Sequence, residues 1–323
     1  MTRFLLFSVL ILALTASAHA GFTIDDDGKS LTVVEKGKAV LVYHYELVDP
    51  PEGVGKRYRR QAYIHPLYGL DGEVLTQDFP ADHYHHRGVF WAWTEASVGG
   101  KKMDVWSLNG VRQVHEKFTA QEAGRKAALI GAQSLWVFDA APDDPKVRES
   151  VRITVHPAKK MTRAIDFRLV FENVCQEDVV LRGSSAEDGN PRMIKGYGGF
   201  CFRPDAGRRP MRFTSATGNI RKDVLRLESP WADLSFRKKK GRKDKSGLAI
   251  FQHPSNPGYP HPGWILRRYG FLGQSWPCDQ SHTLQPGERV ELRYRILVHR
   301  GESGPAGVAQ AFQKYVEEET SKP

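Results

Sequence analysis

Cysteine is scarce: Cys175, Cys201 and Cys278 are the only three in 323 residues. They stand far apart and follow neither a zinc nor a CxxC spacing, which excludes a disulfide-dependent scaffold. One disulfide could form, and one thiol would then be left over. Long apolar runs are lacking as well. The one that stands out, Phe4 to Leu14, follows a single basic residue, Arg3, and ends in the small residues Ala18-His19-Ala20. It is shorter than the roughly 20 residues of a membrane-spanning helix. It reads as a signal peptide over 1–20, cleaved after Ala20, which leaves a periplasmic or secreted chain with no membrane span. Low-complexity linkers, fixed-period repeats, a phosphate loop and a nucleophile elbow are also missing.

Acidic residues are outnumbered. Without Arg3 the chain holds 46 Lys and Arg against 37 Asp and Glu, a formal charge of +9. In an exported protein that balance suggests an anionic partner such as an acidic glycan. Export and the absence of a recognised motif weigh against nucleic acid. Two basic runs, Lys56 to Arg60 and Arg237 to Lys245, sharpen the charge, and the second reads as a solvated hairpin tip.

Helical periodicity is absent until Pro305, where Ala306 to Glu318 forms a plausible C-terminal helix with proline in its first turn. From Phe22 onward the sequence alternates like a sheet protein. Ile165, Phe167, Leu169 and Phe171 alternate with Asp166 and Arg168, and Val290 to Val298 repeats the pattern. Lys36-Gly37-Lys38 separates two strands as a hairpin turn. The expected fold is all-β: a large antiparallel sandwich of two packed sheets over residues 21–323, taken as a single domain. A split at Ala141-Pro142-Asp143-Asp144-Pro145 is the alternative.

Residues 78 to 95 concentrate chemistry. Asp82-His83-Tyr84-His85-His86-Arg87-Gly88 is a polar loop that leads into the apolar strand Val89-Phe90-Trp91-Ala92-Trp93. Loops on a rigid scaffold are where binding and catalytic groups gather, and imidazole titrates nearest neutral pH. His85 or His86 could serve as acid or base, and Arg87 could hold a carboxylate or hydroxyls with its planar fork. The alternative is that His86 and Arg87 bond carbonyls and acids within a tight loop. His83 and His85, two apart in extended chain, would project to one side and could chelate a divalent metal, with His253 or His65 as the distant ligand.

Two further stretches belong to the expected site. Ser184 to Asn190 carries Glu187 and Asp188, candidates for a partner acid, and Lys195 opens a glycine-rich approach to the strand ending at Phe202. Phe251 to Trp264 holds four prolines that fix a loop presenting His253 and Asn256, with Tyr259 and Trp264 offering ring faces suited to sugar C–H surfaces. His65, fixed as extended by Pro66, is the last candidate for substrate binding.

Together Tyr63-Ile64-His65-Pro66, the Asp82 to Gly88 loop, Lys195-Gly196-Tyr197-Gly198-Gly199-Phe200 and His253-Pro254-Ser255-Asn256-Pro257 resemble a family of exported bacterial domains labelled methane-oxygenase-like (PmoA-like), of unknown function. Trp264-Ile265-Leu266-Arg267-Arg268-Tyr269-Gly270 lacks the histidine and aspartate typical of that family at this stretch, so no role attached to them transfers. The fold is also similar to galactose-mutarotase-like supersandwiches, whose concave sheet binds sugars. The expectation is a carbohydrate-active enzyme of lyase, hydrolase or epimerase type; a metal-dependent enzyme and a noncatalytic glycan-binding protein are the alternatives.

Overall fold

The computed structural model describes residues 21–185, 194–236, 246–301 and 305–321. The expected signal peptide, the partner acids Glu187 and Asp188, and the basic run from Arg237 to Lys245 lie outside them. Two large antiparallel sheets pack face to face. The eight-stranded sheet runs, in spatial order, Phe22–Asp26, Ser30–Glu35, Lys38–His44, Tyr63–Leu67, Val89–Trp93, Gly198–Phe202, Phe271–Gln274, Trp264–Arg267. The nine-stranded sheet runs Gly218–Ile220, Met211–Ser215, Trp231–Phe236, Ser246–Gln252, Arg289–Arg300, Thr162–Asn173, Val147–Val155, Ala128–Phe138, Val111–Ala123. A four-stranded sheet built on Val179–Arg182 is the third.

Period-two patterning decides which face is which. Along Thr162–Asn173, Ile165, Phe167, Leu169 and Phe171 are buried while the residues between them are not. From the other sheet Trp91 meets Phe167, and Trp93 meets Trp136 and Phe171. Each such side chain, fully buried, stabilises by about 1.5–3 kcal/mol relative to exposure. The hairpin at Lys36-Gly37 has positive φ at both residues, 50° and 77°, the two-residue turn whose twist matches its strands. Ala141 to Pro145 is a hairpin connection too: Ala128–Phe138 and Val147–Val155 pair antiparallel on either side of it.

The outer surfaces of the two sheets differ. The helix Pro305–Thr320 covers the nine-stranded sheet through Val308 and Tyr315, packed on Trp231, Ala249, Phe251 and Leu297. On the eight-stranded sheet, Phe90 points opposite to Trp91 and carries Trp106 and the histidine loop. All three cysteines are free and buried. Among the described residues no helix is long and apolar enough to cross a membrane.

Candidate functional site

Gly88 anchors the histidine loop to its strand: a Cβ there would lie 2.1 Å from the Ile64 carbonyl oxygen, so only glycine lets the two backbones approach. From this anchor the imidazoles form an aromatic stack on the outer face. His83 lies parallel to His86 at 4.6 Å between ring centroids and to Tyr269 at 4.9 Å. His85 meets His86 edge to face at 4.6 Å. Trp106 and Phe271 close the back of the stack against His86, and Tyr197 packs on both.

Arg203, buried at the end of Gly198–Phe202, ties the stack together. One end of its fork donates to Asp82 Oδ1 at 2.6 Å and the other to His86 Nδ1 at 3.4 Å. A guanidinium can only donate, so His86 accepts at Nδ1 and, as a neutral ring, carries its proton on Nε2. Burial first, then the neighbouring His85, His83 and Arg203, hold His86 well below the ordinary imidazole range. His85 is pushed down to about 3 by burial and by His83, Arg60, Arg87 and Arg203. Burial works to raise Asp82, but the Arg203 hydrogen bond and charge outweigh it and leave the carboxyl below its usual range. Burial and the adjacent Tyr197 push the Tyr269 hydroxyl up. His83 keeps 35% of its side chain exposed, with Nδ1 3.1 Å from Asp82 Oδ2, though not at a hydrogen-bonding angle. The site therefore presents neutral imidazoles at His85 and His86, an ionised Asp82 and a protonated Tyr269 at neutral pH.

Several expected site residues lie elsewhere. Arg87 has no exposed surface; it donates to Asp78 Oδ1 at 3.2 Å and to the Tyr58 carbonyl, and lies over the Phe79 ring. Its fork is spent on these internal partners, and burial lowers its pKa. His65 sits on the outer face of the same sheet, bonded through Nδ1 to Thr76 Oγ1 at 2.9 Å, and has no ring contact with the stack among the described residues. Lys195 is half-buried one residue before the Gly196-Tyr197 approach.

His253 is on the other side of the sandwich. It follows Ser246–Gln252 of the nine-stranded sheet and reaches Glu319 and Tyr315 of the C-terminal helix, while Nδ1 accepts from the Ser255 hydroxyl at 2.7 Å. Both sheets and the core separate it from the histidine stack. Asn256 is a structural clamp: its amide exchanges hydrogen bonds with the Arg293 backbone at 2.8 and 2.7 Å. Trp264, expected to offer a ring face, is fully buried, its indole donating to the Ser229 carbonyl at 2.7 Å. Tyr259 remains half-buried on the His253 loop.

His83 and His85 supply two imidazoles 5.6 Å apart between ring centroids. Among the described residues no group of three His, Cys, Asp or Glu is placed to hold a metal ion. Arg203, Tyr269, Tyr197 and Trp106 were not among the expected site residues. Strand pairing between Val89–Trp93, Gly198–Phe202 and Phe271–Gln274 brings Arg203, Tyr197 and Tyr269 together, and the Trp106 backbone N–H donates to the Trp93 carbonyl at 3.1 Å; the sequence signal was Tyr197 and Arg203 directly bordering the apolar strand Gly198–Phe202.

An antiparallel sandwich with a C-terminal helix and a histidine loop on one outer face matches a family model over residues 30–313, and the chain belongs to this family, a family of unknown function (DUF6807). That match replaces the methane-oxygenase-like family expected from the loop motifs. No curated protein matches the chain. Among solved structures it is similar to a heparan sulfate lyase from Pedobacter heparinus, at 9% identity and a TM-score of 0.39, covering 89% of this chain and 36% of the lyase. It is also similar to a GH36 α-galactosidase from Geobacillus stearothermophilus, at 10% identity and 0.43, covering 91% of this chain and 40% of that one. A galactose mutarotase related enzyme from Lactobacillus acidophilus matches at 9% identity and 0.38, over 88% and 99% of the two chains. The chain thus spans well under half the length of the lyase and the galactosidase.

Proposed function

We propose that the His83–His85–His86 face is the active site of an exported carbohydrate-active enzyme, with a sugar-derived ligand lying against His83 and Tyr269. The observation that supports this most is the stack itself, in which ring faces and neutral hydrogen-bonding imidazoles share one partly exposed surface. Ring faces suit sugar C–H groups, and neutral imidazoles suit hydroxyls. A group that stays neutral down to pH about 3 cannot act as an acid near pH 7. His85 and His86 therefore orient hydroxyls as neutral donors and acceptors. Proton exchange falls to His83, a part-exposed ring with a carboxylate beside it. Asp82 stabilises the imidazolium that forms, and Arg203 holds Asp82 in place. Lyase, hydrolase and epimerase chemistry all use such a group.

The test is product formation by the purified mature protein on a panel of neutral and acidic oligosaccharides, followed by chromatography. At least one substrate is expected to turn over. His83→Asn should lower kcat by about 10²-fold or more, the usual contribution of a positioned acid or base. His253→Asn should retain full activity. Ligand binding without turnover across the panel, or unchanged kcat in His83→Asn, would defeat the catalytic reading; the first result would make the protein a glycan binder.

A further inference from the structure

The outer face of the nine-stranded sheet carries a row of cations that the histidine site does not use. In register, Arg152 of Val147–Val155 stands opposite Arg168 of Thr162–Asn173, and Arg168 stands opposite Arg293 of Arg289–Arg300. Alternation turns Val151 and Ile153 into the core and Arg152 outward. Adjacent strands lie about 4.8 Å apart, so the three guanidiniums form a line about 10 Å long. Like charges placed directly opposite across a sheet repel and destabilise the pairing.

Compensation along the row is incomplete. Glu291 serves two of the three: Arg168 donates to its Oε2 at 2.6 Å and Arg293 to its Oε1. Arg152 has no ion pair among the described residues and is exposed. Nearby Arg295 adds no free charge, since it binds Asp166 at 2.5 and 2.8 Å and Glu318 at 3.1 Å. The row lines a cavity of about 230 Å³, walled on the helix side by Tyr315 and Glu319. Arg168 and Arg293 keep 48% and 38% of their side chains exposed, so their forks are reachable from solvent.

We infer that this row is a binding site for a multivalent anion, one carrying two carboxylate, sulfate or phosphate groups about one strand interval apart. Guanidinium forks bind such groups in a bidentate manner, and a dianion relieves the repulsion that Glu291 leaves. The cavity is smaller than the usual range for drug-sized ligands, so the occupant is a short polyanion or the charged end of a longer chain. The site is separate from the proposed catalytic face.

Calorimetric titration of the mature protein at low salt with inorganic pyrophosphate, with a disulfated disaccharide and with formate tests it. Both dianions should bind and formate should not. Whichever dianion binds more tightly shows whether sugar-borne or free anionic groups are preferred. Arg152→Gln and Arg168→Gln should each weaken binding at least tenfold, while Arg112→Gln, on the edge strand Val111–Ala123, binds as the wild type does. Without anion, Arg152→Gln should melt no lower than wild type, since it removes repulsion, and it should lose the rise in melting temperature that pyrophosphate gives the parent. Pyrophosphate bound equally by wild type and both arginine variants, formate bound as tightly as the dianions, or no dianion binding at millimolar concentration would overturn the proposal.

Discussion

His85 is an imidazole that the fold keeps uncharged. Its pKa falls to about 3 in the native protein, against about 6.5 in an unfolded chain. Between those values the unfolded state binds the extra proton, so stability rises with pH across that window and is lost on acidification from pH 6.5 toward 3. The slope from one such group is at most about 1.4 kcal/mol per pH unit. Urea midpoints measured from pH 7 to pH 5 should fall in the wild type and fall less steeply in His85→Asn; equal slopes would contradict the assignment. The residue types in this loop were legible as chemistry, but their roles were not. Arg87 looks like a substrate fork in the sequence, yet it donates to Asp78 and to the Tyr58 carbonyl, while Arg203, more than a hundred residues on, is the arginine that reaches the histidine stack, through Asp82 and His86. No spacing along a chain announces that exchange, because it depends on which strands become neighbours.

The strand Val89–Trp93 carries the site, and its entry is set by one close approach. Gly88→Ala would push a methyl into the Ile64 carbonyl, at a cost of about 1–3 kcal/mol as the strand edges shift apart. Thermal unfolding should show that loss, and imidazole NMR signals of the His83 loop should move with it; a variant with the wild-type melting point and spectrum would contradict the tight approach. Strands with one buried face were readable at this scale. The alternating runs Ile165 to Phe171 and Val290 to Val298 lie within the strands Thr162–Asn173 and Arg289–Arg300. The long strand Val111–Ala123 escaped because it lies at a sheet edge, where Arg112, His115, Glu116 and Lys117 interrupt the apolar signal. Trp231–Phe236 escaped for the opposite reason: it is buried throughout, and Asp233 and Ser235 are satisfied there by His299 and by each other.

The whole molecule is held across its middle by Glu149. This buried carboxylate accepts from the Trp91 indole of one sheet at 2.6 Å, and from the Trp136 indole and Gln113 of the other at 2.7 and 2.8 Å. Glu149→Gln turns one acceptor into a donor facing donors and leaves the nearby buried Arg60 without its counter-charge, a change that costs about 3–5 kcal/mol. A urea titration with an unchanged midpoint would refute that role. The same two-sheet architecture puts the histidine stack and the His253 loop on opposite outer faces, which the sequence could not reveal, since both loops carry a histidine beside prolines and aromatic rings. The central claim is that only the first of these faces is the sugar site. The most direct measurement is a titration of histidine-labelled protein with the oligosaccharide panel, followed by imidazole NMR. The account predicts that a bound sugar shifts the His83 and His85 signals and leaves His253 unmoved; shifts at His253 with a silent histidine stack would contradict it.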